Sequence, residues 1–241
     1  MRHHAGHKLR GSAPRLQELR HSQLYAEELG IDLASGRDED YFRWFLASLL
    51  YGGHISETIA RRTYQAFCRH DLTSPRRVVA AGWDFLVNPV MREGGYVRYD
   101  GRKSGQILRD CETLLTRYGG RLSRLHQAAR NPHDLEARLD AFYGVGPVTA
   151  NIFLRELRPF WSKADPTPLP AVLALAKTLG IALGRQPRKT LGFARIEAGL
   201  IRFSHGRRRS QVRSRPSTPR RARIPAGDAE EAAEAEAALR R

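Results

Sequence analysis

Apolar residues recur along most of this chain at the spacing of amphipathic helices. One stripe runs from Phe42 to Leu50, begins behind acidic residues that suit a helix N-terminus, and ends at the glycine pair 52–53. Another runs from Ile107 to Tyr118 and also stops at a glycine pair. Because no alternation of apolar and polar positions is long enough for a sheet, the pattern predicts an all-α fold.

Capping residues and prolines refine the predicted helix boundaries. Ser74 and Asn131 each precede a proline, an arrangement typical of an N-cap followed by the first helical residue. Gly82 is expected to close the helix that begins after Ser74. We predict helices over residues 15–29, 38–51, 56–67, 74–82, 101–118, 131–142, 147–157, 171–179 and 189–203, with a proline-rich loop over 159–170.

The turn Gly144-Val145-Gly146-Pro147 lies between two of these helices. Glycine permits positive φ and has no β-carbon, so another backbone can approach it closely. Pro147 presets the first turn of the following helix, whose free amides form a binding site for anions. The spacing of the two glycines therefore predicts a turn that can hold a phosphate group.

We expect a helix-hairpin-helix over Leu139–Leu157 that binds the phosphates of DNA. The predicted donors are the amides of Gly146, Val148 and Thr149 and the hydroxyl of Thr149, while Val145 fills the core beneath the turn. Such contacts position a duplex without reading its sequence. The alternative is an ordinary tight turn between antiparallel helices, but the apolar residues that flank the glycines favour DNA binding.

The charge of the chain indicates a polyanionic partner. The 241 residues carry a formal net charge of +16, with a pI near 10.8. Part of this excess lies in Gly206–Arg223, which holds eight arginines and no acid and is predicted to be a disordered arm. RNA binding by the arm is an alternative, although the chain has no recognisable RNA-binding motif.

Cysteine count and hydropathy exclude other classes. Two cysteines, Cys68 and Cys111, are too few for a disulfide framework or a four-cysteine metal site. No apolar run approaches the ~20 residues of a membrane span, and residues 1–4 lack the apolar stretch of a signal peptide. We therefore expect a cytoplasmic, nucleoid-associated protein with no membrane partner.

Four further motifs are distributed over residues 45–165. They are Phe45-Leu46-Ala47-Ser48-Leu49-Leu50, Gly94-Gly95-Tyr96 followed by Lys103-Ser104, Phe142-Tyr143-Gly144-Val145-Gly146-Pro147-Val148-Thr149-Ala150, and Asp165. Together these stretches resemble the endonuclease III-like superfamily of DNA glycosylases, and the resemblance spans residues 38–165. Its most specific part is the hairpin.

The resemblance implies two helical domains with a DNA-binding cleft between them, and Asp165 at the mouth of the cleft opposite the hairpin. We expect the chain to divide into a disordered leader over 1–14, an N-terminal helix over 15–37 that packs with the C-terminal domain, a barrel domain over 38–158, a C-terminal domain over 159–205, and a disordered basic and then acidic tail over 206–241.

The resemblance also implies the chemistry. Bifunctional members carry a Schiff-base lysine two residues past the second hairpin glycine, where this chain has Val148. It therefore implies a monofunctional N-glycosylase, in which Asp165 assists water and stabilises the oxocarbenium-like sugar after the base has flipped out. The alternative is a non-catalytic protein that keeps the fold and binds DNA.

The remaining expectations concern binding. The residues predicted to contact DNA are Gly144, Val145, Gly146, Val148, Thr149, Lys103 and Lys163. Tyr96 and Tyr99 either stack on a base or are half-buried in a turn. No residue near Gly52-Gly53-His54 is assigned to fill the void that a flipped base leaves. We expect a monomer that has double-stranded DNA as its partner and binds no cofactor or iron-sulfur cluster. The sequence leaves undecided whether the hairpin binds a monovalent cation.

Overall fold

The structure is a computed structural model that describes residues 14–53 and 55–213, with side chains as far as residue 206. Every regular element in these residues is helical, which confirms the all-α prediction. The α-helices are α1 (Leu16–Arg20), α2 (Tyr25–Glu28), α3 (Asp38–Tyr51), α4 (Glu57–Arg69), α5 (Pro75–Phe85), α6 (Arg92–Gly94), α7 (Asp100–Tyr118), α8 (Leu122–Ala128), α9 (Pro132–Asp140), α10 (Pro147–Leu157), α11 (Pro170–Thr178) and α12 (Leu191–Arg213). A π-helical segment, Leu86–Met91, joins α5 to α6, and short 3-10 turns lie at Leu33–Ser35 and Leu183–Arg185.

Helix α3 lies at the centre of the larger hydrophobic core. Trp44 is fully buried, and its indole Nε1–H donates a hydrogen bond to the carbonyl of Phe153 at 3.0 Å. Phe45 meets the rings of Phe142 and Phe153 edge-on, with centroids 5.5 and 5.4 Å apart. Since Phe142 follows α9 and Phe153 belongs to α10, these contacts hold both sides of the intervening turn against α3.

The predicted helix over residues 15–29 is wrong in one respect, because it is interrupted and forms α1 and α2. The buried carboxylate of Glu156 accepts hydrogen bonds from the amides of Tyr25 at 3.0 Å and Ala26 at 2.9 Å. In the interruption, the guanidinium of Arg195 donates to a backbone carbonyl at 2.8 Å. Side chains from distant helices thus replace hydrogen bonds that a continuous helix would make with itself.

A smaller hydrophobic core joins α1 to α11 and α12. Its buried members are Leu19, Val172, Ala176, Leu183, Phe193, Ile196 and Leu200. The first helix therefore shares a core with the helices that follow residue 159.

Helix α5 consists of two helical stretches that meet at Gly82. It begins as expected, since the hydroxyl of Ser74 accepts an amide hydrogen bond at 3.4 Å. Gly82 has a φ of 76° and a ψ of 172° and ends the first helical stretch, as predicted, while a second short stretch follows and ends at Phe85. In the segment that follows, Asn88 has a φ of -141° and a ψ of 114°, so Pro89 begins a new helical stretch, where its missing amide donor is not needed.

The last helix is longer than predicted. Helix α12 continues past residue 203 to Arg213, so the predicted disordered arm starts within helical backbone. Arginine has good helix propensity, which explains the extension through the basic residues 207–209. By its contacts the chain divides into a compact unit ending at Ser204 and a second unit from His205 onward. The predicted leader over 1–13 and the tail over 214–241 lie outside the described residues.

No helix within the described part of the chain combines the length and the apolar character needed to cross a bilayer.

Candidate nucleic-acid interface

The candidate hairpin consists of α9, a turn over residues 141–146, and α10. Asn131 Oδ1 accepts an amide hydrogen bond of 2.9 Å in the first turn of α9. Pro147 is the first residue of α10, which runs to Leu157 as predicted. Val145 is 5% exposed and lies in the core beneath the turn, which confirms its predicted packing.

The two hairpin glycines serve different purposes. Neither has a positive φ, so the turn does not use the left-handed conformation that glycine permits. A β-carbon on Gly144 would lie 2.9 Å from Oδ2 of Asp110 and 3.2 Å from Cβ of Gln106, so glycine lets the turn pack against α7. A β-carbon on Gly146 would meet nothing within 4 Å. The Gly146 side of the turn therefore has room for another molecule.

Asp110 of α7 supports the turn. Its Oδ1 accepts the amide of Gly144 at 3.3 Å, whereas its Oδ2 is buried without a hydrogen-bond partner. Burial raises the pKa of Asp110 to about 6, although the amides of Gly144 and Tyr143 oppose the shift. Sequence reasoning missed this residue. The signal that could have found it is a carboxylate in phase with Ile107 and Leu114 on an otherwise apolar helix stripe.

A cavity of about 680 Å³ opens beside the hairpin. It lies between the glycine pair after α3, the start of α7 and the hairpin turn. Its described lining residues are Gly52, Gly53, Ile55, Tyr96, Arg98, Tyr99, Arg102, Lys103, Gln106, Gly144, Gly146, Pro147, Val148 and Thr149. Three of these side chains are cations and none is a carboxylate. The described lining is therefore suited to a ligand that combines negative charge with a flat or apolar part.

Most of the predicted DNA-binding residues lie at this cavity, but they differ in access. Val148 is 50% exposed beside the open face of Gly146. Thr149 is buried, and a β-carbon on Gly52 would clash with its Oγ1. The Thr149 hydroxyl therefore faces the end of α3, which leaves the amides of the first helical turn as the better anion donors.

Lys103 reaches the cavity from the first turn of α7. Its side chain is 9% exposed, and its Nζ donates to the backbone carbonyl of Leu49 at 3.3 Å. Burial lowers the pKa of Lys103 below its ordinary value, while the charge of Asp110 partly opposes the shift.

Aromatic and cationic side chains line the cavity and also lie close together on the neighbouring hairpin turn. Tyr96 is 4% exposed, whereas Tyr99 is 59% exposed and has the guanidinium of Arg98 5.1 Å from its ring centroid. On the hairpin turn, the guanidinium of Arg109 lies 4.5 Å from the ring centroid of Tyr143. Both tyrosines named as base-stacking candidates thus line the cavity, one buried and one open.

Asp165 occupies a different environment. It is not among the residues that line the hairpin cavity. Its Oδ1 accepts hydrogen bonds from Nη1 of Arg158 at 2.6 Å and from Nε of Arg188 at 2.9 Å. The fully buried Arg158 also pairs with Glu197, with 2.9 Å between Nη2 and Oε2. The carboxylate predicted to be catalytic is therefore held between two guanidinium groups.

Lys163 also lies apart from the cavity lining. Its Nζ donates to the carbonyls of His126 at 2.9 Å and Gln127 at 3.3 Å, near the end of α8. A cation at this position satisfies helix carbonyls that have no intrahelical donor. The structure thus gives Lys163 a structural contact and does not bring it to the other predicted DNA contacts.

Comparisons of the chain with models of protein families, with curated proteins and with solved structures find no match. Within the described residues, no group of three or more histidine, cysteine, aspartate or glutamate side chains could hold a metal ion. His54, which belongs to the segment considered for the void-filling role, lies outside the described residues.

Proposed function

We propose that this protein is a DNA N-glycosylase that binds double-stranded DNA through the hairpin over Leu139–Leu157. The observation that carries the proposal is the position of the open Gly146 face and the α10 amides beside a cationic cavity lined by tyrosines. In this proposal the fold is a helix-hairpin-helix glycosylase fold with a DNA-binding cleft, and the cavity lies in that cleft.

The hairpin supplies the phosphate contacts in this proposal. The amides of Val148 and Thr149 belong to the first turn of α10, where helical amides lack intrahelical acceptors. The helix dipole adds favourable charge at the same end. Arg98 and Arg102 extend positive charge along the cavity rim, so a DNA strand held at Gly146 continues past two guanidinium groups.

The cavity accepts one extruded base in this proposal. About 680 Å³ is within the range of small-molecule sites and exceeds what a single nucleobase needs. The exposed ring of Tyr99 offers a stacking surface, and the amide of Gln106 offers hydrogen bonds to a base edge. Asp165 remains the candidate carboxylate for hydrolysis of the N-glycosidic bond, although it is not among the residues that line the cavity.

A second function is favoured by the contacts of Asp165. Because Arg158 and Arg188 occupy its Oδ1, the carboxylate already has a structural role without any substrate. This observation supports a non-catalytic DNA-binding protein, in which the hairpin holds phosphates and the cavity holds a base without chemistry.

Incubation with duplexes carrying uracil, alkylated, oxidised or mismatched bases, followed by alkali, separates the two functions. The glycosylase predicts alkali-sensitive sites on at least one lesion and their loss in Asp165→Asn, with no loss in the exposed control Glu112→Gln. Circular dichroism and DNA affinity must show that Asp165→Asn is folded and binds. Binding of DNA without cleavage of any lesion would establish the second function instead.

A further inference from the structure

Helix α7 extends well beyond the hairpin cavity, and one of its faces holds only cationic and uncharged polar side chains. Arg102 and Gln106 line the hairpin cavity at the start of this face. Arg109, Thr113 and Arg117 follow at intervals of three or four residues, so they lie on the same side of the helix. We call these five residues the basic face of α7. At 1.5 Å per residue, it is about 22 Å long.

The carboxylates of α7 lie beside the basic face and not on it. Asp110 is buried beneath the hairpin turn, and Asp100 accepts the amide of Gly101 at the start of the helix. The exposed Glu112 projects about 100° around the helix axis from Thr113. The three arginines of the basic face are exposed and belong to no ion pair within the described residues. Their charge is therefore available to a partner outside the chain.

A second cavity, of about 640 Å³, lies where the basic face ends. Arg117 lines it together with Arg124 of α8 and Arg138 of α9, and no carboxylate belongs to its described lining. Nε of Arg138 lies 3.2 Å from Oδ2 of Asp134, whereas Arg124, like Arg117, forms no ion pair within the described residues. We call this the arginine cavity. Its described lining is suited to an anion.

The position of Arg124 depends on the glycine that ends α7. Gly119 has a φ of 62°, the left-handed conformation typical of a residue that follows a helix. A β-carbon on Gly119 would lie 2.6 Å from Nη1 of Arg124, so the guanidinium packs directly against the backbone. The last carbonyls of a helix carry partial negative charge and favour a cation there. The fold thus places a guanidinium at the arginine cavity.

We propose that the basic face of α7 and the arginine cavity bind the phosphate backbone of duplex DNA next to the segment held by the hairpin. The proposal rests on DNA binding by the hairpin and adds contacts that the hairpin does not make. Arg109 connects the two regions, since its guanidinium lies 4.5 Å from the ring centroid of Tyr143 on the hairpin turn. Phosphates of one strand recur every ~3.4 Å of duplex axis, so the basic face matches about six nucleotides.

The linear arrangement of the cations favours a polymer over a small anion. The hairpin cavity, Arg109 and the arginine cavity lie in succession along one helix, as a row of phosphates requires. A free phosphate ion would occupy the arginine cavity alone. Contacts with phosphates do not read base sequence, and each one releases counterions from the DNA. The salt dependence of binding therefore measures how many of these contacts form.

Paired substitutions in the full-length protein test the proposal. Arg117→Gln combined with Arg124→Gln removes two cations, while Arg62→Gln combined with Arg185→Gln removes the same charge from exposed positions outside both cavities. Fluorescence anisotropy at several salt concentrations gives the affinity for a duplex of about 20 base pairs, which exceeds the length of the basic face. We expect the first pair to bind about tenfold more weakly, with a salt slope shallower by about 2. The control pair should stay within about twofold of the parent, with an unchanged slope.

A carboxylate placed midway along the basic face separates a continuous path from an isolated anion site. Thr113→Glu should weaken duplex binding several-fold, because its charge faces the phosphates between the hairpin and the arginine cavity. Thr178→Glu on α11 is the matched control and should bind like the parent. Both threonine hydroxyls donate to the carbonyl four residues earlier, so each substitution removes the same local hydrogen bond. Circular dichroism checks that every variant is folded.

The other outcomes overturn the proposal. If the first arginine pair binds DNA like the control pair, the arginine cavity is not part of the interface. If that pair binds weakly but Thr113→Glu binds like the parent, the arginine cavity is an isolated anion site. If the losses appear only with an RNA duplex of the same length, the surface belongs to RNA. In these three cases the parent still binds DNA and the proposed function stands, whereas a parent that binds no duplex removes both proposals together.

Discussion

The hairpin cavity and the charge cluster around Arg158 are two polar regions with opposite arrangements. The cavity presents cations and helix amides with no carboxylate among its described lining. In the cluster, Arg158 is enclosed by Asp165, Glu197 and a backbone carbonyl at 2.6 Å, so each charge has a partner inside the protein. Polar groups at the cavity are therefore available to a ligand, whereas those of the cluster already stabilise the fold.

Breaking the cluster should give the largest change in stability. Arg158→Met leaves the buried carboxylate of Glu197 without its cation, and loss of one partner from a buried pair costs about 3–5 kcal/mol. Urea denaturation gives the free energy of unfolding. The exposed pair Arg69–Glu93 provides the control, because Arg69→Met should cost less than about 1 kcal/mol. A small loss in Arg158→Met would mean that Asp165 and its arginines are not needed for stability.

The two hairpin glycines should respond differently to the same substitution by alanine. Gly144→Ala places a methyl group against Asp110 and should lower the free energy of unfolding by about 1–3 kcal/mol. Gly146→Ala meets no neighbour, so its stability should change by less than about 0.5 kcal/mol. The Gly146→Ala methyl group nevertheless occupies the proposed phosphate approach, and we expect about tenfold weaker DNA binding. Unchanged DNA affinity of a stable Gly146→Ala protein would contradict the proposed binding of phosphate at the hairpin.

The pH dependence of stability should distinguish Asp110 from the paired carboxylates. Because burial raises its pKa from 3.8 to about 6, folded protein binds the proton more tightly than unfolded chain does. The free energy of unfolding of the parent, relative to Asp110→Asn, should therefore fall as pH rises from 3.8 to about 6 and level off above. Denaturation at several pH values checks this slope. A flat difference would show that Asp110 is not held in the buried acid environment described.

Lys163 should give the smallest effect. Its contacts at the end of α8 are partly exposed, so Lys163→Ala should cost less than about 1 kcal/mol. DNA affinity, measured by fluorescence anisotropy at low salt, should stay unchanged because Lys163 does not line the cavity. A several-fold loss of affinity would place Lys163 at the DNA interface after all.

Sequence patterns predicted the elements that local physics determines. The apolar stripes of α3 and α7 and the proline that starts α10 fixed those helices, since each is set by residues within a few turns. The buried side of the hairpin was predicted for the same reason, because Val145 lies between two apolar helix faces.

What the patterns missed depends on partners far away in the chain. The interruption before α2 reflects the carboxylate of Glu156, and the position of Asp165 reflects Arg188, 23 residues later. No local spacing encodes such pairs. The cavity has the same origin, because Lys103 comes from α7 and Gly146 from the hairpin, and only tertiary packing brings them together.

The hydrogen bonds between Glu156 and the amides of Tyr25 and Ala26 also set an order in which the parts of the chain can fold during synthesis. The two ends of this contact are separated by about 130 residues, and protein synthesis proceeds from the N-terminus. The beginning of the chain therefore leaves the ribosome long before its cap exists. The first amides of α2 have no Glu156 acceptor until α10 has been synthesised. The N-terminal segment can therefore take its final place only when more than half of the protein has been made.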